Sequence, residues 1–345
     1  MGVGVPAGTT RVRDGRSGSR AHRQPDRALT AVSVPYRILI LGAGGFVGGY
    51  LRHALEARFA GDAEVVATSH AGNAAGGTRS LDLTDEAALD AALADIRPTH
   101  VINLAGIASP VSASKALAQA WLLHATAPEA LGRLVLRANP ETWLFHVSSG
   151  LVYGRSALSG KALTEEMVLA PMDPYAVTKA AGDLAIGALA GEGLKCLRLR
   201  PFNHIGPGQS EDFVVPAFAA QLARIASGKQ DPVLRVGNLE AERDLLDVRD
   251  VAEAYATLVE QSDALVPGEI FNISSDKATL IRSVLDALID ISGLDVKVEL
   301  DPARQRPSDL PSIRGSSEKL SSITGWFPRY SIWDSLRDVY LELSS

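Results

Sequence analysis

The chain of 345 residues is long enough to bury the core of one large domain or of two modest ones. It is 46% hydrophobic and 21% charged, a composition typical of a soluble globular protein. The net charge of −6, without basic runs interleaved with aromatic residues, argues against a nucleic-acid partner. No apolar segment approaches the length of a membrane span. The single cysteine, Cys196, excludes an internal disulfide bond and fits a cytoplasmic location.

The first 34 residues differ from the rest of the chain. They contain six arginines and two aspartates, many glycines and serines, and no apolar periodicity. This composition predicts a disordered tail, because such a segment cannot bury enough apolar surface to fold. The tail carries 6 − 2 = +4 charges, and we interpret it as dispensable.

From residue 36 onward, apolar runs alternate with helical patterns. The sequence predicts strands at 36–41, 63–68, 100–104, 142–147 and 194–199, and helices at 45–60, 85–95, 113–138 and 174–190. This alternation indicates right-handed βαβ units and an α/β fold with a doubly wound parallel sheet. We assign residues 35–200 to this Rossmann domain, with some later segments returning to it.

After Arg200 the pattern loosens into loops rich in proline and glycine. Helices are predicted near 213–227, 250–262, 278–291 and 331–343, and short strands near 233–236 and 270–273. This stretch is too interrupted for an independent core. We expect residues 201–345 to form a smaller substrate-binding part over the carboxyl edge of the sheet, where ligands of such folds bind.

A glycine-rich turn follows the first predicted strand. Gly42, Gly45 and Gly48 stand three residues apart between an apolar run and a helical pattern. Gly42 permits the tight reversal, Gly45 lets the backbone approach a pyrophosphate, and Gly48 lets the helix pack on the strand. The free N–H groups of the helix N-terminus then face the phosphates. The turn predicts a dinucleotide-binding site.

A second constellation predicts proton transfer. Ser149 leaves the end of a predicted strand, and Asp173-Pro174 are a good N-cap and first helical residue. Tyr175 then lies in the first helical turn, and Lys179, four residues on, shares its face. A neighbouring ammonium favours the phenolate, so we expect Tyr175 to exchange a proton near neutral pH. We predict no metal site.

These motifs resemble those of the extended short-chain dehydrogenase/reductases that act on nucleotide sugars, over roughly residues 36–340. The resemblance implies Ser149, Tyr175 and Lys179 as the catalytic set. Asp82-Leu83 looks like the pair that flanks the adenine, and Leu104-Ala105-Gly106 resembles the segment that lines the cofactor. The predicted cofactor contacts are Gly42, Gly45, Phe46, Val47, Gly48, Ser69, His70, Asp82, Leu83, Leu104, Ala105, Gly106, Tyr175 and Lys179.

The chain departs from this family at His124. The family usually has an asparagine there, in the long helix before the catalytic residues, and that asparagine helps to hold a water in the proton relay. Two interpretations of His124 remain open: a role in the relay, and a core histidine whose hydrogen bonds are satisfied.

The residues after the catalytic serine bear on the reaction. Sugar 4,6-dehydratases of this family carry a carboxylate one or two places further on, because eliminating water needs an additional acid–base group. Here those places hold Gly150 and Leu151. Because neither residue has a carboxylate, the sequence argues against a dehydratase. Reduction and epimerisation at C4 remain as the possible reactions.

Segments beyond Arg200 are similar to those of GDP-4-keto-6-deoxy-D-mannose reductases. This resemblance implies reduction of the 4-keto group of a GDP-linked 6-deoxyhexose, giving GDP-D-rhamnose or its C4 epimer, GDP-6-deoxy-D-talose. A nucleotide diphosphate calls for arginine forks and amide donors. Besides Ser149, the expected substrate contacts are Asn203, Arg243, Arg306 and Asp309.

The cofactor preference depends on the end of the second predicted strand. An acidic residue there would bond the ribose 2′-hydroxyl of NAD, whereas this chain has Ser69 and His70. We therefore expect NADPH with NADH tolerated. The alternatives are a nucleotide-sugar 4-epimerase that keeps NAD bound, and a non-catalytic NAD(P)-sensing protein. Because the helices at 113–138 and 174–190 are apolar on more than one face, we expect a homodimer.

Overall fold

The computed structural model of the chain describes residues 1, 2, 4, 35–73, 77–304 and 310–345. The chain divides into two units, Met1–Ser33 and Val34–Ser345. The predicted disorder of residues 1–34 falls almost wholly outside the described residues. The helices and strands of the described residues all belong to the second unit.

Strands and helices alternate through most of the second unit. The strands are β1 Tyr36–Leu41, β2 Ala63–Ser69, β3 Arg79–Ser80, β4 His100–Asn103, β5 Trp143–Val147, β6 Cys196–Pro201, β7 Asn203–Ile205, β8 Val233–Val236, β9 Glu242–Asp247, β10 Glu269–Ile273, β11 Ala278–Leu280, β12 Lys297–Leu300 and β13 Ser312–Ile313. The α-helices are α1 Phe46–Phe59, α2 Glu86–Ile96, α3 Pro110–Lys115, α4 Leu117–Trp121, α5 Ala127–Ala138, α6 Pro174–Gly191, α7 Val214–Ala226, α8 Val248–Glu260, α9 Ile281–Ser292, α10 Glu318–Thr324 and α11 Ile332–Ser344.

A parallel sheet of seven strands forms the centre of the fold, in the order β3-β2-β1-β4-β5-β6-β10. Alternate residues of β1 enter cores on opposite faces. Ile38 and Ile40 pack with residues of α1 and α8, whereas Leu39 and Leu41 pack with residues of α2 and α5. Because helices cover both faces, this strand is apolar and buried from Ile38 to Leu41. The predicted doubly wound α/β fold is confirmed.

The strand order reverses between β1 and β4, and this reversal positions the site. In open parallel sheets, ligands bind at the carboxyl ends of the strands that flank such a reversal. The glycine turn follows β1, and the segment Leu104-Ala105-Gly106 follows β4. Both predicted cofactor segments therefore meet at the same edge of the sheet.

A smaller α/β layer lies over that edge. In it β9 pairs with β7, β11 and β13, and β8 pairs with β12. Its own core joins apolar residues of α7, α9 and α11. Two segments beyond Arg200 pack on the large sheet instead, since β10 pairs with β6 and α8 packs against α1. The domain boundary drawn at Arg200 stays a prediction.

The helix predicted at 113–138 is wrong as a single element. A helix begins at Pro110, breaks at Ala116 (φ −128°, ψ 51°) and resumes, and residues Leu122–Thr126 form a π-helix before α5. Pro128 explains part of this irregularity, because proline lacks the N–H that would bond the carbonyl of His124 in an α-helix. The prediction of a helix from residue 278 begins too early, since Ala278–Leu280 pairs with β9.

Candidate active site

A cleft of about 1480 Å³ opens at the carboxyl edge of the sheet, between the sheet and the smaller layer. Its walls include the glycine turn, Ser149, Tyr175 and Lys179 on the sheet side and Asn203 and Arg243 on the other. Pockets for one drug-sized ligand measure about 300–1,000 Å³. The cleft is therefore large enough for a dinucleotide and a second ligand together.

The glycine turn has the close backbone approaches that its spacing predicts. Gly42 has φ +79°, and a Cβ there would lie 2.6 Å from the backbone nitrogen of Ala105. A Cβ on Gly48 would lie 2.2 Å from the carbonyl oxygen of Ala43, so a larger residue would separate α1 from the turn. No side chain caps the N-terminus of α1 at Gly45. Its free N–H groups suit a pyrophosphate, so these residues fit a dinucleotide.

The predicted adenosine end of the site combines the ends of β2 and β3. Ser69, His70, Asp82 and Leu83 all line the cleft. The carboxylate of Asp82 accepts hydrogen bonds from the backbone and hydroxyl of Thr84, and its Oδ2 lies 3.0 Å from Nδ1 of His70. The hydroxyl of Ser69 and the imidazole of His70 lie at the end of β2. Neither of these two positions holds a carboxylate.

The structure brings Ser149, Tyr175 and Lys179 together in the cleft wall. The carboxylate of Asp173 accepts a hydrogen bond from the backbone of Ala176 at 2.8 Å, so α6 begins where the sequence predicts. Tyr175 and Lys179 are buried, with 6% and 7% of their surface exposed. The ammonium of Lys179 donates to the carbonyl oxygen of Val147 at the end of β5, at 3.1 Å.

The ionisation of these groups differs from the sequence expectation. Burial raises the pKa of Tyr175 to about 12, and the hydrogen bond with Ser149 opposes this only in part. Burial also lowers the pKa of Lys179 to about 8. Burial thus shifts the pKa of Tyr175 in the direction opposite to the lowering that we expect from the ammonium of Lys179. The physical reason is the cost of charge in a buried site. The predicted proton exchange near neutral pH stays a prediction.

His124 lies directly behind α6. It is 1% exposed, its Nε2 accepts a hydrogen bond from the backbone N–H of Ile107 at 3.0 Å, and its Nδ1 lies 2.9 Å from the hydroxyl of Thr178. Burial and the charge of Lys179 lower the pKa of His124 to about 3. Of the two interpretations left open, the structure fits a core histidine with satisfied hydrogen bonds.

The expected substrate contacts fall into two groups. Asn203 in β7 and Arg243 in β9 line the cleft opposite the catalytic residues. The guanidinium of Arg243 donates to the carbonyl oxygens of Glu242 and Leu310, at 2.7 and 2.9 Å. Arg306 and Asp309 lie outside the described residues. Their predicted contacts stay predictions.

Three residues in or behind the cleft, His204, Arg304 and Thr178, are not among the predicted site residues. The ring of His204 stacks on that of Phe46, with centroids 5.9 Å apart and planes 3° from parallel. Arg304 lines the cleft near Gly237. Thr178 lies one residue from Lys179 and contacts His124. Pro128, four residues after His124, is the one local signal in the sequence, because a proline indicates an irregular helix at His124. The other contacts join residues that are far apart in the sequence.

Comparisons with known proteins agree with this geometry. Residues 38–274 match the model of the NAD dependent epimerase/dehydratase family. The chain is 34% identical to a GDP-6-deoxy-D-mannose reductase of Pseudomonas aeruginosa, over 90% of this chain and 97% of that protein. It is 24% identical to a GDP-6-deoxy-D-talose 4-dehydrogenase of Aggregatibacter actinomycetemcomitans, over 89% and 99%. The solved structure of RMD from Pseudomonas aeruginosa complexed with NADPH superposes with a TM-score of 0.76, at 30% identity over 90% of this chain and 99% of that one.

The chain belongs to the NAD dependent epimerase/dehydratase family. This assignment confirms the predicted extended short-chain dehydrogenase/reductase family and its dependence on a nicotinamide dinucleotide. None of the helices in the described part of the chain combines the length and the apolar character that crossing a membrane requires.

Proposed function

We propose that this protein catalyses the NAD(P)H-dependent reduction of the 4-keto group of GDP-4-keto-6-deoxy-D-mannose, giving GDP-D-rhamnose or GDP-6-deoxy-D-talose. The observation that carries the proposal is the continuous cleft from the glycine turn, past Ser149, Tyr175 and Lys179, to Asn203 and Arg243. It brings a dinucleotide site, a proton donor and groups suited to a nucleotide diphosphate into one cavity. The names of the similar reductase and dehydrogenase support the same substrate class.

The glycine turn and the segment after β4 hold the dinucleotide in this proposal. Gly42, Gly45 and Gly48 offer backbone approach and helix N–H groups to the pyrophosphate. When bound, the reduced nicotinamide supplies a hydride to the carbonyl carbon. The remaining cofactor contacts are those to Phe46, Val47, Ser69, His70, Asp82, Leu83, Leu104, Ala105 and Gly106.

Tyr175 donates the proton that converts the keto oxygen into a hydroxyl. Because burial raises the pKa of Tyr175 to about 12, the phenol carries the proton that is to be donated. Ser149 orients that oxygen through its hydroxyl. The ammonium of Lys179 stabilises the tyrosinate that remains after transfer.

Asn203 and Arg243 contact the nucleotide diphosphate in this proposal, together with Arg306 and Asp309. A guanidinium is suited to phosphate oxygens because its donors lie in a fixed fork. NADPH is the preferred cofactor, because Ser69 and His70 at the end of β2 do not repel a 2′-phosphate as a carboxylate would. The similar RMD structure contains NADPH.

A dehydratase is disfavoured by the space around the serine as well as by the sequence. A Cβ on Gly150 would lie 3.0 Å from three ring atoms of Phe202. A carboxylate side chain at this position would therefore displace that ring. The site as built serves hydride and proton transfer without a further acid.

We also propose that the protein is a cytoplasmic homodimer. Apolar side chains of α4 and α6 stay exposed outside the cleft: Leu117, Trp121, Val177 and Leu184. Such a cluster is unfavourable in water unless it is covered. A second copy of the same surface would cover it.

Incubation with GDP-4-keto-6-deoxy-D-mannose and NADPH tests the proposal. We expect stoichiometric NADPH oxidation, and NMR of the product at C4 then distinguishes the two sugars. An epimerase would show no net oxidation, and a sensor would show no turnover. Tyr175→Phe should lower kcat by about 10²- to 10⁴-fold. Tyr330→Phe, at an exposed tyrosine, is the matched control; equal activity of Tyr175→Phe and this control would refute the assignment.

A further inference from the structure

His124 connects two parts of the site that are otherwise separate in the chain. On one side its Nε2 accepts from the backbone N–H of Ile107, which follows the cofactor-lining Gly106. On the other side its Nδ1 bonds the hydroxyl of Thr178 on α6. The ring also packs edge-on against Tyr175, with centroids 5.5 Å apart and planes at 85°.

The directions of these hydrogen bonds fix the state of the ring. A backbone N–H can only donate, so Nε2 must carry its lone pair. Nδ1 then carries the hydrogen and donates to the hydroxyl of Thr178, which in turn donates to the carbonyl oxygen of Tyr175 at 2.8 Å. Protonating Nε2 would break the bond to Ile107. Each ring nitrogen is thus used within the protein.

The surrounding backbone is shaped to hold this ring. His124 lies in the π-helix, and such turns frequently occur at functional sites. Gly106 has φ +154°, and a Cβ there would lie 3.0 Å from Cδ2 of the His124 ring. A Cβ on Gly182 of α6 would lie within 2 Å of the carbonyl oxygen of His124 (1.9 Å). Two glycines therefore allow the loop and α6 to close on this one residue.

We infer that His124 is a positioning residue, a neutral imidazole that ties the cofactor-lining loop at Ile107 to the first turn of α6 and so holds Tyr175 in place. It replaces the family's asparagine in a structural role and does not carry the transferred proton. The charged and titratable groups that face it are Lys179, His146 and Tyr175. The kinetic part of the test rests on the proposed function.

Ring nitrogen NMR of the nucleotide-bound protein, labelled with ¹⁵N-histidine, tests the inference directly. The chain has 7 histidines, and His124→Asn identifies the signal of this one. We expect Nδ1 protonated and Nε2 unprotonated at every pH from 6 to 9. A ring that gains a proton within this range would overturn the inference. This readout needs no substrate, so it tests the neutral state of the ring even if the proposed reaction fails.

Kinetics of variants test the positioning role. His124→Leu should lower kcat about 10- to 100-fold with little change in KM, because displacing a reacting group by about 1 Å can cost 100-fold. His124→Asn, whose amide keeps an acceptor for Ile107, should recover most of the loss. Thr178→Val should resemble His124→Leu, and the double variant should be no slower than either single variant.

Three outcomes would contradict the positioning role. The first is a wild-type kcat in His124→Leu, and the second is an equal loss of kcat in His124→Asn and His124→Leu. The third is a loss of kcat in the double variant that equals the sum of the two single losses in free energy. His53→Leu, at an exposed histidine, is the matched control. NADPH affinity and thermal unfolding are measured for each variant. If His124→Leu does not fold, Thr178→Val carries the kinetic test, because it removes one hydroxyl and preserves the volume of the side chain.

Discussion

Lys179 provides a test that connects the lowered pKa of a buried group with the pH dependence of stability. Burial lowers its pKa from 10.5 to about 8, so the folded protein holds this proton less tightly than the unfolded chain. Since each pKa unit is worth about 1.4 kcal/mol, the buried ammonium costs on the order of 3 kcal/mol at neutral pH. The protein retains a destabilising charge at its site.

The sign of the pH dependence follows from proton binding. Between pH 8 and 10.5 the unfolded chain binds more protons at this lysine than the folded protein, so stability rises with pH. With the pKa values above, the contribution of Lys179 should become more favourable by about 1 kcal/mol between pH 7 and pH 9. In Lys179→Met the increase in stability between pH 7 and pH 9 that is due to this lysine is lost. The substitution also leaves the carbonyl oxygen of Val147 without its donor, and this lost hydrogen bond costs about 1–3 kcal/mol.

Urea unfolding of the nucleotide-free protein at pH 7, 8 and 9 measures this effect. The difference in the free energy of unfolding, wild type minus Lys179→Met, should increase with pH. We expect the kcat of the variant to be lower than that of wild type. Lys229→Met, at an exposed lysine, is the control for removing one lysine side chain. If the difference between wild type and Lys179→Met stays constant from pH 7 to pH 9, the assignment of a buried, destabilised ammonium is wrong.

Three further predictions concern the cofactor, the core and the surface. Ser69→Asp should lower the ratio of kcat/KM for NADPH over NADH at least about 10-fold, because a carboxylate repels the 2′-phosphate; an unchanged ratio would place the determinant elsewhere. Asp183→Asn should cost about 3–5 kcal/mol in urea unfolding, because it breaks the buried pair with Arg200 (Oδ2 to Nε 2.8 Å); a loss below 1 kcal/mol would contradict this. Leu184→Glu should shift the mass in light scattering from dimer to monomer with thermal unfolding of the monomer unchanged, and a dimer that survives this change would show that α6 is not its interface.

The large sheet was predictable because its signals are local. Apolar runs such as 36–41 are buried strands wherever helices cover both faces of a sheet, and the glycine spacing after β1 specifies its own turn. The smaller layer was less predictable. Strands β7, β9 and β13 are short, and each is stabilised by pairing with a segment distant in sequence. The periodicity of a short strand does not indicate which distant segment pairs with it.

The amino-acid sequence by itself determined the glycine turn after β1, the placement of Tyr175 and Lys179 on one helical face, and the family. These depend on spacing along the chain and on the caps that begin a helix. Only the tertiary structure decided that burial raises the pKa of Tyr175 and lowers that of Lys179, and that His124 bonds Ile107 and Thr178. Ionisation depends on burial and on neighbours, and both are set by packing between segments that the sequence holds far apart.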